Sequence, residues 1–377
     1  MKILFYDLNL VLIDRYPRKI AEQLSAINSE LSFVFVYSEN TKIKVHNRLP
    51  NNSQLVYMPY INEKNLSNLF LSKEIRVVVT CAQRLSDMLF IAVSRRHNIP
   101  SFTVQHGIWS SSINRLPWYR VFFTKLNKFI FYVNRALELA SIIGVNRYFF
   151  LRDAYNFFYL DKSQLTNFEC LNSDYLRADM VLAFDESWID YYVGKFGYKE
   201  EQIFFIGNPD FLLLSNPLEC EANSVGYICQ SLVEDGRLDR NTFIRFLHDL
   251  QIILNSEVIL YIKLHPRSDE SLYRNFFNLK NVRIIKEFPL CNRYIGHYSS
   301  LLAVTDKVGR KNLLWKLEGH YIPENFLRYG SKVSSDLIDL KFFLNCEQKV
   351  ESCDDSILPK NPYVLAAQRI LMQINRF

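Results

Sequence analysis

Short apolar runs rich in β-branched and aromatic residues alternate along this chain with longer stretches of helical periodicity. KILFYD (2–7), FVFVYS (33–38), LVYMPY (55–60), RVVVTC (76–81), SFTVQ (101–105), MVLAFD (180–185) and IFFIGN (203–208) predict strands. Helical patterns lie between several of them, as at 85–97 and 187–197. Apolar strands that alternate with helices, rather than with tight turns, predict parallel sheets covered on both faces.

After Pro209 and a polar interval around Ser215–Ser224 the alternation restarts. SVGYICQSL (224–232), a helix at about 239–255, VILYIKLH (258–265), a helix at about 269–279, VRIIKEF (282–288) and RYIGHY (293–298) predict a second α/β unit. The expected division is 1–212 and 213–377, with the amphipathic last segment PYVLAAQRILMQINRF a candidate to pack back on the first domain. At 377 residues two domains are also the expectation from size, since single cores rarely grow past roughly 250–300 residues. One segment breaks the alternation: residues 115–160 interleave Arg and Lys with many aromatics. They read either as core helices with snorkelling cations or as a surface that meets an anionic membrane.

Composition narrows the class. Hydrophobic residues are 49% and charged residues 22%, ample for a packed core and unlike a disordered chain. The net charge of +6 is mild for the length, which argues against a nucleic-acid partner and favours an anionic substrate or membrane surface. The seven cysteines (81, 170, 220, 229, 291, 346 and 353) are scattered and contain no C-x-x-C pair, so reduced thiols in a cytoplasmic protein are expected, without a metal site. Asp7 interrupts the first apolar run, which therefore predicts a strand rather than a signal peptide, and no run of about 18 uncharged apolar residues predicts a membrane span.

Candidate chemistry collects where strands end, the edge at which open α/β sheets hold ligands. Gln105-His106-Gly107 ends one strand, and Glu234-Asp235-Gly236, His265-Pro266 and Ser299-Ser300 follow three strands of the second unit. His265 offers a donor to a phosphate oxygen, while Pro266 forces it out of the α region and Ser268 or Asp269 can cap the next helix. Ser299 and Ser300 place hydroxyls at an expected helix start. Glu234 and Asp235 put two carboxylates together, a pattern suited to a general base and equally to a solvated turn. Gly207 and Asn208 sit at the passage between the units, where a hinge and a donor contact are both open readings. Lys263 and Arg267 flank His265, and histidines 46, 97, 248, 297 and 320 have no companions in the sequence.

In their order, the acidic pair with Gly, then His-Pro, then Ser-Ser, these segments resemble the bacterial sialyltransferase and polysialyltransferase-like families. The resemblance covers mainly residues 225–305. It implies an α/β protein of GT-B type, two Rossmann-like domains with parallel sheets facing across a cleft, acting as an inverting transferase of a CMP-activated nonulosonic acid. It further implies Glu234 or Asp235 as general base, His265 as a contact to the CMP phosphate, Ser299 and Ser300 as its other binding groups, and no metal or other cofactor. The acceptor would be a glycan or lipid-linked glycan, with peripheral contact to the inner face of the plasma membrane. Gln105-His106-Gly107 with Ile108-Trp109 is similar to the histidine element of teichoic-acid-type polyol-phosphate transferases, which makes His106 a competing base. The Glu-Asp-Gly and His-Pro pairing is also similar to CMP-Kdo transferases. A CDP-polyol phosphotransferase and a non-catalytic GT-B-like glycan assembly protein therefore stand as alternatives.

Overall fold

The computed structural model describes residues 1–39, 49–107, 118–159, 164–346 and 361–374. The first unit holds a seven-stranded sheet: β1 (Lys2–Asp7), β2 (Ser32–Tyr37), β3 (Ser53–Tyr57), β4 (Ile75–Thr80), β5 (Ser101–Val104), β6 (Met180–Ala183) and β7 (Ile203–Phe205). All pairs are parallel, in the order β3-β2-β1-β4-β5-β6-β7. The order reverses between β1 and β4, so their carboxyl ends flank a topological switch point. β1, β4, β5 and β6 are buried almost throughout, which explains why they read as unbroken apolar runs rather than as alternations.

The connecting helices are α1 (Leu10–Arg15), α2 (Pro17–Ile27), α3 (Glu63–Ser72), α4 (Leu85–Arg96), α5 (Trp118–Ile143) and α6 (Arg147–Ala154). Their starts are written locally: the side chains of Asn9, Asn62 and Asn146 accept from the first free amides of α1, α3 and α6. The expected helix at 187–197 is instead a short 3₁₀ turn, Glu186–Trp188, followed by a π turn, Tyr191–Lys195. Gly194 and Gly197, the latter at φ +72°, weaken a continuous α-helix there.

The long continuous stretch of the second unit begins at Asp210. It carries β8 (Leu218–Glu219), β9 (Ser224–Ile228), α7 (Arg240–Ile253), β10 (Ile259–Lys263), β11 (Val282–Ile285), β12 (Pro289–Leu290) and β13 (Arg293–Gly296). There follow α8 (Leu301–Lys307), β14 (Lys311–Trp315), α9 (Glu324–Leu327), β15 (Lys332–Ser334) and α10 (Leu337–Asn345). Six strands form a parallel sheet in the order β11-β10-β9-β13-β14-β15, while β8 and β12 pair separately. Here the switch point lies between β9 and β13. The sequence pattern missed β14 and β15, and the expected helix at 269–279 is a 3₁₀ segment, Glu270–Phe276, capped by Asp269.

Gly226 of β9 is required by packing, because a Cβ there would stand 2.5 Å from the ring of Tyr294 on β13. That ring in turn staples the approach to its own strand: Tyr294 Oη donates to Pro289 O and accepts from Cys291 N, each at 2.8 Å. The terminal helix α11 (Pro362–Ile374) is part of the first unit and lies against α2, with Tyr363 Oη donating to Arg15 O at 3.2 Å. No helix of the described residues is long and apolar enough to cross a membrane.

Candidate functional site

β9, β10 and β13 are neighbours in the second sheet, so the loops that leave their carboxyl ends share one edge. After β9 the chain turns through Ser231–Gly236. Gly236 adopts φ +66°, a left-handed conformation that an L side chain resists, and Arg237 N and Leu238 N both donate to Leu232 O. Asp239 then caps α7 through the amides of Asn241 and Thr242.

After β10, His265-Pro266-Arg267-Ser268 is a tight turn closed by Ser268 N donating to His265 O at 2.9 Å. Ser268 Oγ accepts from His265 N at 3.1 Å, and His265 Nδ1 accepts from Arg267 N at 3.2 Å. The half-buried neutral imidazole therefore carries its proton on Nε2, as a donor. Pro266 and Arg267 are exposed.

Arg267 connects the two loops. Its Nη1 and Nη2 donate to Asp235 Oδ1 and Oδ2 at 2.6 and 3.1 Å, a bidentate fork. Asp235 also accepts from Ser231 Oγ at 3.1 Å and faces Arg237 Nε at 3.9 Å. Glu234 Oε1 accepts from Asp269 N at 2.6 Å. The acidic pair and the His-Pro turn are thus locked together, by a cation that the sequence placed only as a flank. Both Asp235 oxygens are committed to hydrogen bonds.

On the other side of β9, Ser299 and Ser300 open α8. Ser299 Oγ accepts from Leu301 N at 3.3 Å, and Ser300 Oγ donates to Asp210 Oδ2 at 2.8 Å. Gln230 spans the switch point: its amide donates to Tyr298 O at 2.7 Å and accepts from Tyr298 N at 3.0 Å, extending the β9–β13 ladder beyond its last regular pair. Lys263 is half-buried at the end of β10, its ammonium pushed below the ordinary lysine value by burial, with Asp210 among the anions that oppose the shift.

His297 lies inward of the serines and is fully buried. Its Nδ1 donates to Trp315 O at 2.9 Å and its Nε2 accepts from Tyr227 Oη at 3.0 Å. Burial lowers its pKa to about 4, so the ring is a neutral core element. His320 stacks on Tyr298 with centroids 5.4 Å apart, and burial followed by the charge of Arg237 lowers it to about 4.

His106, Gly207 and Asn208 belong to the first unit. His106 follows β5 with its ring edge-on to Tyr16, centroids 5.1 Å apart; Ile108 and Trp109 lie outside the described residues. Gly207 at φ +87° turns the chain beside Pro362 of the terminal helix, and Asn208 is buried. The first unit's own switch point contains a group that the sequence pattern passed over. Arg84 Nη2 donates to Asp7 Oδ1 at 2.8 Å, and its Nε donates to Asp87 Oδ2 at 2.6 Å, both carboxylates being fully buried. Burial raises the Asp7 pKa, while for Arg84 the two carboxylates outweigh burial and hold it well above the usual value. The available signal was an aspartate closing an apolar strand; its partner 77 positions away was not visible.

Among the described residues no group of three metal-ligating side chains gathers. With two parallel Rossmann-like sheets the fold is of GT-B type. Solved structures similar to this chain share that architecture. UDP-GlcNAc 2-epimerase from Methanocaldococcus jannaschii aligns at TM-score 0.54 and 13% identity, over 99% of this chain and 100% of the epimerase. The wall teichoic acid polymerase TagF aligns at 0.53 and 14%, over 100% of this chain and 88% of TagF. The glycotransferase of kitacinnamycin aligns at 0.53 and 9%, over 99% of both chains. At these identities the likeness is one of fold. No family model and no curated protein sequence matches the chain.

Proposed function

We propose that this chain is an inverting glycosyltransferase that moves a sialic-acid-like nonulosonic acid from a CMP donor to a hydroxyl of a surface-polysaccharide or lipopolysaccharide acceptor. One observation carries the reading: the end of β10 at Lys263 and the loops after β9, β10 and β13, with Arg237, His265, Ser299 and Ser300, share one sheet edge around a topological switch point. In the reaction the acceptor oxygen bonds to the anomeric carbon as the carbon–oxygen bond to CMP breaks. A base takes the acceptor proton, and the departing phosphate meets the Nε2–H of His265, the serine hydroxyls and the nearby cations. These groups meet the phosphate charge without a resident metal or cofactor.

Both Asp235 oxygens are held by Arg267, which leaves Glu234 and His106 as the bases to test, and pH–rate profiles of Glu234→Gln and His106→Gln tell them apart. His265→Ala is expected to lower CMP release by roughly 10²-fold or more while the fold survives, since one donor to the leaving group is lost. Unchanged turnover of this variant with CMP-sialate, CMP-pseudaminate and CMP-Kdo would remove His265 from the mechanism.

A second reading is a CDP-polyol phosphotransferase, favoured by the likeness to TagF, one of whose structures contains CDPG. A product carrying phosphodiester phosphorus decides for it. If glycan assembly survives alanine at Glu234, Asp235 and His106 together, a non-catalytic binding role replaces both.

A further inference from the structure

Asp210 opens the long continuous stretch of the second unit and sits among groups that would otherwise serve an anion. Its Oδ2 accepts from the Ser300 hydroxyl at 2.8 Å, and its charge acts at longer range on the half-buried Lys263 ammonium, whose own hydrogen bond goes to Leu264 O at 3.2 Å. Lys263 ends β10 and Ser300 follows β13, the two strands on either side of β9. The Ser300 contact therefore holds Asp210 at the carboxyl end of β13, beside the switch point where a parallel sheet presents its ligand. A carboxylate and a phosphate ask the same things of a hydroxyl and an ammonium: accepted hydrogen bonds and opposite charge.

We propose that Asp210 is an internal anion seated where the donor's phosphate binds, and that its carboxylate competes with the incoming nucleotide. The inference rests on the transferase reading for the identity of the site. Binding of the nucleotide turns the Ser300 hydroxyl to the phosphate and displaces the carboxylate. A ligand must therefore displace an anion already in place. A monoanion with one contact gains little over Asp210; a nucleotide phosphate, with two charged oxygens and a base and ribose to add contacts, gains enough. Asp210 in this sense sets which anions are admitted.

The test is calorimetric titration of the full chain and of Asp210→Ala and Asp210→Asn with CMP, with thermal melting of each to confirm folding. Loss of a competing charge-assisted hydrogen bond should tighten CMP binding by about tenfold in Asp210→Ala. The Asn variant, which still accepts from Ser300 but has no charge, should fall between Ala and wild type. Wild-type binding with equal or weaker binding by both folded variants would overturn the role of Asp210 and leave the nucleotide site standing. Absence of binding by all three proteins, to CMP and also to CDP and UDP, would overturn the nucleotide site itself and Asp210's competition with it.

Discussion

His297 and His265 are separated by one strand end, yet their fates differ because their surroundings do. His297 is enclosed by Tyr227 and the Trp315 carbonyl, and its pKa falls from 6.5 to about 4. In the unfolded chain the ring titrates near its ordinary value, so between these two pH values the unfolded state binds the extra proton. The stabilisation is complete above about pH 6.5 and is lost as pH falls toward 4, a loss of roughly 3 kcal/mol from this residue. Chemical denaturation at pH 7 and pH 4.5 checks it: His297→Gln should start less stable and lose less across that window. Equal losses in wild type and variant would assign the pH dependence elsewhere. Arg267 shows the converse. Its exposed guanidinium is a modest stabiliser, about 1 kcal/mol or less for such a pair, and its importance is positional, since it joins the acidic loop to the His-Pro turn.

At the scale of elements, the His-Pro turn shows what local sequence can determine. A proline after the strand, a serine three residues past the histidine and an aspartate cap make the turn almost self-contained, and the hydrogen bonds follow those positions. Periodicity predicts an α-helix for the element after it, and the structure has a 3₁₀ segment of seven residues, which apolar spacing does not separate from a short α-helix. Helix α6 carries the expectation of membrane contact. It exposes Tyr148 (71%), Phe149 (46%) and, just beyond it, Tyr155 (48%), beside exposed Arg147 and Arg152. Tyr148, Arg152 and Tyr155 follow i, i+4, i+7 spacing and share a face. The expected outcome is co-sedimentation with vesicles of phosphatidylcholine and phosphatidylglycerol, weaker on pure phosphatidylcholine and at high salt. Changing Tyr148, Phe149 and Tyr155 to Ser should abolish it; retention by the triple variant would place any membrane contact elsewhere.

For the whole molecule, the terminal helix is the long-range element with the clearest consequence. Ala366, Ala367 and Ile370 of α11 are fully buried, Arg369 lies over the Phe204 ring at 5.1 Å, and α11 packs on α2. Ile370→Ala should therefore cost the first unit about 2–5 kcal/mol, read as an earlier denaturant midpoint for that unit. A change below about 0.5 kcal/mol would mean that the helix is only loosely docked. Taken by itself, the sequence determined the alternation of strands and helices, the parallel class of both sheets and the strand ends at which His265, Glu234, Asp235, Ser299 and Ser300 stand. These are local properties: apolar period, turn residues and caps act within a few positions of where they are written. Only the tertiary structure decided that Arg267 holds Asp235, that Ser300 meets Asp210, that Asp7 and Asp87 share Arg84, and that His297 is a core residue. The Arg267–Asp235, Ser300–Asp210 and Arg84–Asp7 pairings span 32, 90 and 77 positions, and a side chain's partner at that distance is chosen by strand order and burial. Neither is written in the residues beside it.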